Sequence, residues 1–314
     1  MLRPFRAALV TLVLAPLGYS MLPAQMAPHY HVTKRINLGV ASADFLTIDP
    51  QHRRLYGAGD RVIDIDRDNV IGAIAGAGGG YAFAPDQNRG LVRNGTVFDL
   101  TTLAITGKVD GKGDASVYDP VTHRAFMLLD TTTVVDMTTA KVLTKTVIAP
   151  ALESAVADGR GKIFINREDS SIVTKVDTKT LAVEARYPIP NCKAAQGLSM
   201  DRVTRRLFLG CDKEMVVVNA DNGAVVTRIA VSDHADANAF DPGTKLAFNP
   251  NRTDSTLVVV HEDAPDKYSV IDTVHVGGGS RSMAVDEKTH KLYLFYYDGA
   301  VRETRKLIVA VLAP

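Results

Sequence analysis

Asp158-Gly159-Arg160-Gly161-Lys162-Ile163-Phe164-Ile165-Asn166 opens the unit whose reading decides the fold. An acidic turn is followed by a basic residue and then by a β-rich run. The same order recurs at Asp49-Pro50 through Arg53-Arg54-Leu55-Tyr56, at Ala84-Pro85 through Arg89-Gly90-Leu91, and at Asp119-Pro120 through Arg124-Ala125-Phe126. It returns at Asp201 through Arg206-Leu207-Phe208, at Asp241-Pro242 through Lys245-Leu246, and at Asp286 through Lys291-Leu292-Tyr293. Successive anchors lie 35, 35, 39, 43, 40 and 45 residues apart. A four-stranded propeller blade takes about 40 residues. Seven such units predict an all-β chain: a seven-bladed β-propeller of four-stranded antiparallel blades.

The fourth unit resolves most clearly. Ser154 to Asp158 reads as an inner strand, Lys162 to Asn166 as a second, Ile172 to Asp177 as a third and Leu181 to Ile189 as an outer strand. Each run is β-branched or aromatic and is bounded by Gly, Asp, Asn or Thr. Third strands elsewhere read Val62-Ile63-Asp64-Ile65-Asp66, Val97-Phe98-Asp99-Leu100, Val134-Val135-Asp136-Met137 and Val216-Val217-Val218-Asn219. The acid or amide near each end is expected to cap the following turn by accepting backbone N–H groups. Helical periodicity is absent after the N-terminal segment. The seventh unit has strands near Arg281 to Asp286, Lys291 to Tyr297 and Arg305 to Leu312, and no fourth. The segment His29 to Leu38 resembles an outer strand. Its pairing beside the last strand is expected to close the ring and remove two open edges.

The repeat pattern, with its Asp-x-x-Thr/Gly-x-Arg/Lys-Leu-Tyr/Phe core, resembles the YVTN-type repeat of YncE-like secreted propellers, a WD40-like architecture. Asp158 to Ile189 and Asp286 to Tyr297 match best, and Val270-Ile271-Asp272-Thr273 matches the family's Val-Ile-Asp-Thr string. The resemblance covers roughly residues 29 to 314. It implies an exported ring whose members mostly lack a defined reaction and bind other macromolecules.

The N-terminus reads as a secretory signal peptide over residues 1–24. Arg3 and Arg6 precede an apolar run of 11 residues, Ala7 to Leu17, and small residues follow at Gly18, Ser20 and Ala24. The run is too short to span a bilayer. Cleavage after Ala24 is expected, with Ser20 as the alternative site and an uncleaved anchor as the alternative reading. The propeller then occupies residues 25–314, with no transmembrane segment in the mature chain and a periplasmic or secreted location. An oxidising compartment suits the two cysteines, Cys192 and Cys211, which the turn at Asp201 to Arg205 brings to one end of a blade. A disulfide between them is expected, with two free thiols as the alternative.

A net charge of +1 removes the electrostatic case for nucleic-acid binding. The absence of Trp excludes Trp-docked propellers. Loops leading into the inner strands share one face with loops joining second to third strands, and that loop-rich channel face is the expected binding surface. The residues expected to make contact there are Asp114, Glu153, Arg167, His234, Asp236 and Arg281. Arg61, Arg93, Arg167 and Arg281 fall on the same face, where several together would suit an anionic ligand. Asp233-His234-Ala235-Asp236 supplies too few ligands for a closed metal site, so no metal is expected. Gly76 to Gly80 and Gly277 to Gly279 lack the Gly-Lys-Ser/Thr ending of a phosphate loop and read as tight strand crossings. Asn94-Gly95-Thr96 and Asn251-Arg252-Thr253 match a glycosylation triplet but read as turns.

These residues point to a non-enzymatic binding protein without a cofactor, a monomer whose partner is an unidentified protein or small ligand. Two alternatives stand beside it. One is a lactonase-like hydrolase with a channel-mouth site, where His234 acts as base with Glu153 and Arg281. The other is an envelope-associated scaffold with an exposed aromatic patch at Tyr296-Tyr297, next to Asp298.

Overall fold

The computed structural model describes residues 29–232, 237–280 and 282–314. The segment read as a signal peptide lies outside the described residues. Seven antiparallel four-stranded sheets stand in sequence order around a central channel. Their inner strands are Thr47–Asp49, Tyr81–Ala84, Ala115–Asp119, Leu152–Ala157, Leu198–Asp201, Ala239–Asp241 and Ser282–Asp286, which number the blades 1 to 7. The one helical element among the described residues is a 3-10 turn, Pro85–Gln87.

Ring closure is as the sequence implies. The strand His31–Asn37 pairs antiparallel with Lys306–Ala313, in register from His31 opposite Ala313 to Asn37 opposite Ile308. Blade 7 therefore takes its outer strand from the start of the ring and its other three strands from the end. Apolar clusters straddle the blade junctions. The one at the closure joins Leu55 and Ile63 of blade 1 to Tyr293, Phe295 and Val309 of blade 7, all 0–1% exposed.

Strand boundaries shift slightly from the sequence reading, for local reasons. The inner strand of blade 4 starts at Leu152, which pairs with Arg167 across an irregularity before Ala155. Its outer strand is Val183–Pro188, because Leu181 has φ 63° and belongs to the turn. The string Val270 to Thr273 lies on the outer strand of blade 6, Lys267–His275, not on a third strand. Blade 6 extends its third strand to Thr256–Ala264, which displaces the string outward.

The repeat signature welds neighbouring blades together. At the inner-to-second turn, Asp49, Asp119, Asp158, Asp201, Asp241 and Asp286 are at most 4% exposed. Each accepts backbone N–H bonds from its own turn, as Asp158 does from Arg160 at 2.7 Å and Asp201 from Val203 at 2.8 Å. The residue that completes each turn has positive φ: Arg53, Asn88, His123, Gly161, Arg205, Lys245 and His290. From that position a long polar side chain reaches the preceding blade. Arg53 holds Asp286 with two bonds of 2.5 and 2.6 Å. Arg205 contacts Asp158, His290 contacts Asp241 and His123 contacts Asp86. Blade 4 has only Gly161 there, and Thr178 Oγ1 donates to Asp119 instead, at 2.7 Å.

In several blades the next residue in sequence reaches the following blade. Arg124 donates to the carbonyls of Thr178 and Lys179 at 2.8 Å, Arg89 to that of Met137 at 2.6 Å, and Lys291 to Asp68 at 2.8 Å. The Asp and the basic residue that define the repeat are thus the connectors of the ring. The third-strand acids do cap their turns. Asp64, Asp99 and Asp177 each accept two backbone N–H bonds, as Asp177 does from Lys179 and Thr180.

Two outcomes follow. Deleting residues 29–38 opens an edge and strips the closure cluster, so the truncated protein loses its cooperative thermal transition; a variant that melts like the intact chain would contradict the closure. Burial alone would raise the Asp286 carboxyl, but bonds from Arg53 and Thr289 outweigh it and hold the group below the ordinary carboxylate range. A lowered folded value means this stabilisation is complete above the unfolded pKa and is lost as pH falls through the folded one. Urea unfolding should show stability falling below about pH 4, with a shallower fall for Asp286→Asn; equal slopes would exclude the linkage.

Candidate functional site

The channel narrows to a waist of about 180 Å³ to which every blade contributes: Thr47, Tyr81, Ser116, Ala155, Leu198 and Met283 from inner strands, and Asn238 just before the inner strand of blade 6. Uncharged side chains line it. Charge gathers at the loop-rich mouth, where the inner strands begin. There Arg93, between the second and third strands of blade 2, bonds both Asp44 at 2.6 Å and Asp114 at 2.8 Å. Asp44 precedes blade 1 and Asp114 precedes blade 3, so one guanidinium ties three blades. Burial pushes the Asp44 carboxyl up; Arg93 pulls it back, and the neighbouring Asp114 adds to the rise.

The glycine-rich stretch beside this cluster is a close crossing, as its sequence suggests. Gly80 has φ 63°, and a Cβ there would sit 2.3 Å from the Asp114 carbonyl oxygen and 2.9 Å from Arg93 Cβ. The second stretch behaves alike, since a Cβ on Gly279 would meet the Arg252 carbonyl oxygen at 2.7 Å.

Three of the six expected contact residues can be placed. Asp114 is at the mouth, held by Arg93. Glu153 is half-buried on the inner strand of blade 4. Arg167 ends the second strand of blade 4, where its Nε donates to the Pro150 carbonyl at 2.9 Å and its Nη2 pairs with Asp169 at 3.1 Å. With only 14% of its side chain exposed, Arg167 braces a loop. His234, Asp236 and Arg281 lie outside the described residues. So do two of the three groups of the hydrolase alternative.

Of the four arginines read as an anion clamp, Arg93 and Arg167 are occupied by carboxylates, and Arg61 lies 3.5 Å from Asp60. The Tyr296-Tyr297 pair does not form an exposed patch. Tyr296 is 7% exposed and accepts a bond from Arg35, and the Arg305 guanidinium covers the Tyr297 ring at 3.8 Å. The disulfide is present: Cys192 and Cys211, 19 residues apart, join the loop before the inner strand of blade 5 to the end of its second strand. Among the described residues no group of three or more His, Cys, Asp or Glu side chains is placed to hold a metal ion, and no helix is long and apolar enough to cross a membrane.

Sequence reading missed Asp44 and the role of Arg93. The signal was weak, because a lone Asp and a lone Arg, 49 positions apart, show no spacing. Only the period, which places both loops on one face, relates them.

No protein-family profile matches the chain, and no curated protein matches it. Among solved structures the chain is similar to U3-55K, with 10% identity and a TM-score of 0.73, over 88% of this chain and 98% of that one. It is equally similar to the crystal structure of the RRP9 WD40 repeats, with 10% identity and a TM-score of 0.73, over 90% of this chain and 100% of that one. The chain therefore has the seven-bladed fold of WD40-repeat structures. At this identity the likeness concerns fold alone.

The Asp44–Arg93–Asp114 cluster makes its own prediction. Replacing Asp114 with Asn removes a like charge, so the Asp44 carboxyl, followed by carbon-13 NMR, should titrate at lower pH than in the native chain. An unchanged midpoint would mean that the two carboxylates do not interact.

Proposed function

We propose that the chain is an exported, non-enzymatic propeller of the YVTN-repeat, YncE-like kind, which binds a partner protein or ligand at its loop-rich channel mouth. The observation that carries this reading is the convergence of Asp44, Arg93 and Asp114, from loops of three blades, at the mouth of a channel to which all seven blades contribute. Arginine bonding to two carboxylates leaves oxygen lone pairs free to accept donors from a partner. The welded ring fixes these loops relative to one another, so little ordering is left for binding to cost.

Three features support export: the leader-like residues 1–24, the Cys192–Cys211 disulfide and the repeat strings that resemble secreted propellers. Asp114, Glu153, Arg167, His234, Asp236 and Arg281 form the proposed contact set. A balanced charge and a mouth that mixes acids with paired arginines favour a protein or small polar ligand over nucleic acid.

The test is retention of binding partners from the producing cell's envelope extract by the purified protein. The comparison is a variant in which the six contact residues are neutralised together. The native chain should retain a partner that the variant loses, while circular dichroism shows that the variant is still folded. Equal retention by both would remove this mouth as the binding surface.

A further inference from the structure

The channel has a second mouth, on the side of the acidic turns, and its chemistry is the opposite of the loop-rich one. Two cavity lobes of about 590 and 790 Å³ open there and share Thr47, Ile48, Pro50, Ala155, Val156 and Arg202. Each lobe falls within the roughly 300–1,000 Å³ range of small-molecule sites. The next-to-last residues of the inner strands make their walls apolar: Ile48, Phe83, Tyr118, Met200, Phe240 and Val285. The aromatic members are held in place. Phe240 stacks on Phe208 with ring centroids 5.0 Å apart, and Phe83 lies 4.8 Å from Tyr56. Below them the funnel tapers into the uncharged waist.

Most charges at this mouth are already paired. Asp49 and Asp286 are buried and bonded, to His52 and Arg53 respectively, and Asp86 accepts bonds from Tyr118 and His123. Arg202 differs. It crosses from blade 5 to blade 4, where its Nε donates to the Ala157 carbonyl at 2.9 Å. This fixes the guanidinium over the opening; among the described residues its terminal nitrogens make no hydrogen bond or ion pair, and its charge partly offsets the burial that pushes the nearby Glu287 carboxyl up. Lys288 adds a second cation to the rim and Glu287 one carboxylate. An apolar funnel under a positioned arginine fork matches a molecule with one apolar end and one anionic end.

We propose that the turn-side mouth binds an amphipathic carboxylate, with its acyl chain in the funnel and its head on Arg202. The taper favours an unbranched chain that runs toward the waist, and Arg202 and Lys288, two cations against the one carboxylate of Glu287, disfavour a cationic head. This site uses no residue of the loop-rich mouth, so it stands or falls independently of the function proposed above.

Calorimetric titration of the intact protein with octanoate, 1-octanol and octyltrimethylammonium tests it. Octanoate should bind most tightly of the three. Arg202→Gln should weaken octanoate about tenfold, the order expected for a charge-assisted bond, and leave octanol unchanged. Arg202→Lys should restore part of the loss. Arg160→Gln, at an exposed cation of the neighbouring turn, should bind octanoate like the native chain. Circular dichroism of each variant confirms that the fold is intact. Absence of octanoate binding, equal affinity in Arg202→Gln and the native protein, or tighter binding of the ammonium compound would each overturn the proposal.

Discussion

A buried aspartate at the turn leaving each inner strand is the constraint on which this ring depends. Six of the seven blades have one, and Ala84 takes the place in blade 2, where Asp86 serves two residues later. A carboxylate this far from water must be bonded and paired, or folding bears the cost of an orphaned charge. Its own turn satisfies part of that need through backbone N–H groups. At most junctions the neighbouring blade supplies the rest, through Arg53, His123, Thr178, Arg205 or His290. At the other two, Asp49 and Asp201 are satisfied within their turns by His52 and Thr204. Five of the seven blades are thereby indexed to the one before them.

That indexing explains how a chain of local hairpins produces two distinct channel mouths. The sheets are radial, so both ends of the channel are assembled from many short contributions and neither belongs to one blade. On the loop-rich side, the connections between blades vary in length and composition, and three of them bring Asp44, Arg93 and Asp114 together. On the turn side, the aspartates are drawn inward to their partners, which leaves the apolar ends of the inner strands and Arg202 to face the opening. The charges that weld the ring border this opening in paired form. The Cys192–Cys211 bond adds a covalent tie within blade 5, where Asp201 makes no bond to a described neighbour through its carboxylate.

The fold was legible because its determinants repeat. Period, strand order, third-strand caps and the closing strand could all be read from residues such as Asp177 and Arg124, whose roles recur in other blades. Boundaries were less legible where one blade departs from the others, as at Leu181, which takes positive φ, or in the lengthened hairpin of blade 6. The site was legible only in part. Arg167 looks like a free cation in sequence, but the Pro150 carbonyl and Asp169 claim it in space. Tyr296 looks exposed beside Asp298, yet Arg35 and the close approach of Gly278 enclose it. Ile48, Phe83, Met200 and Phe240 read as ordinary core residues, because nothing local marks the end of a strand that also borders a channel.

The account is tested most directly by the coupling energy between Arg53 and Asp286, the pair that joins the first blade to the last. Urea unfolding of the native protein, Arg53→Ala, Asp286→Ala and the double variant gives that energy without reference to any other contact. A coupling of more than about 1 kcal/mol is expected, since Arg53→Ala leaves the buried Asp286 carboxylate without its cation. Strictly additive losses would show that the blades are held in register by something other than their buried aspartates.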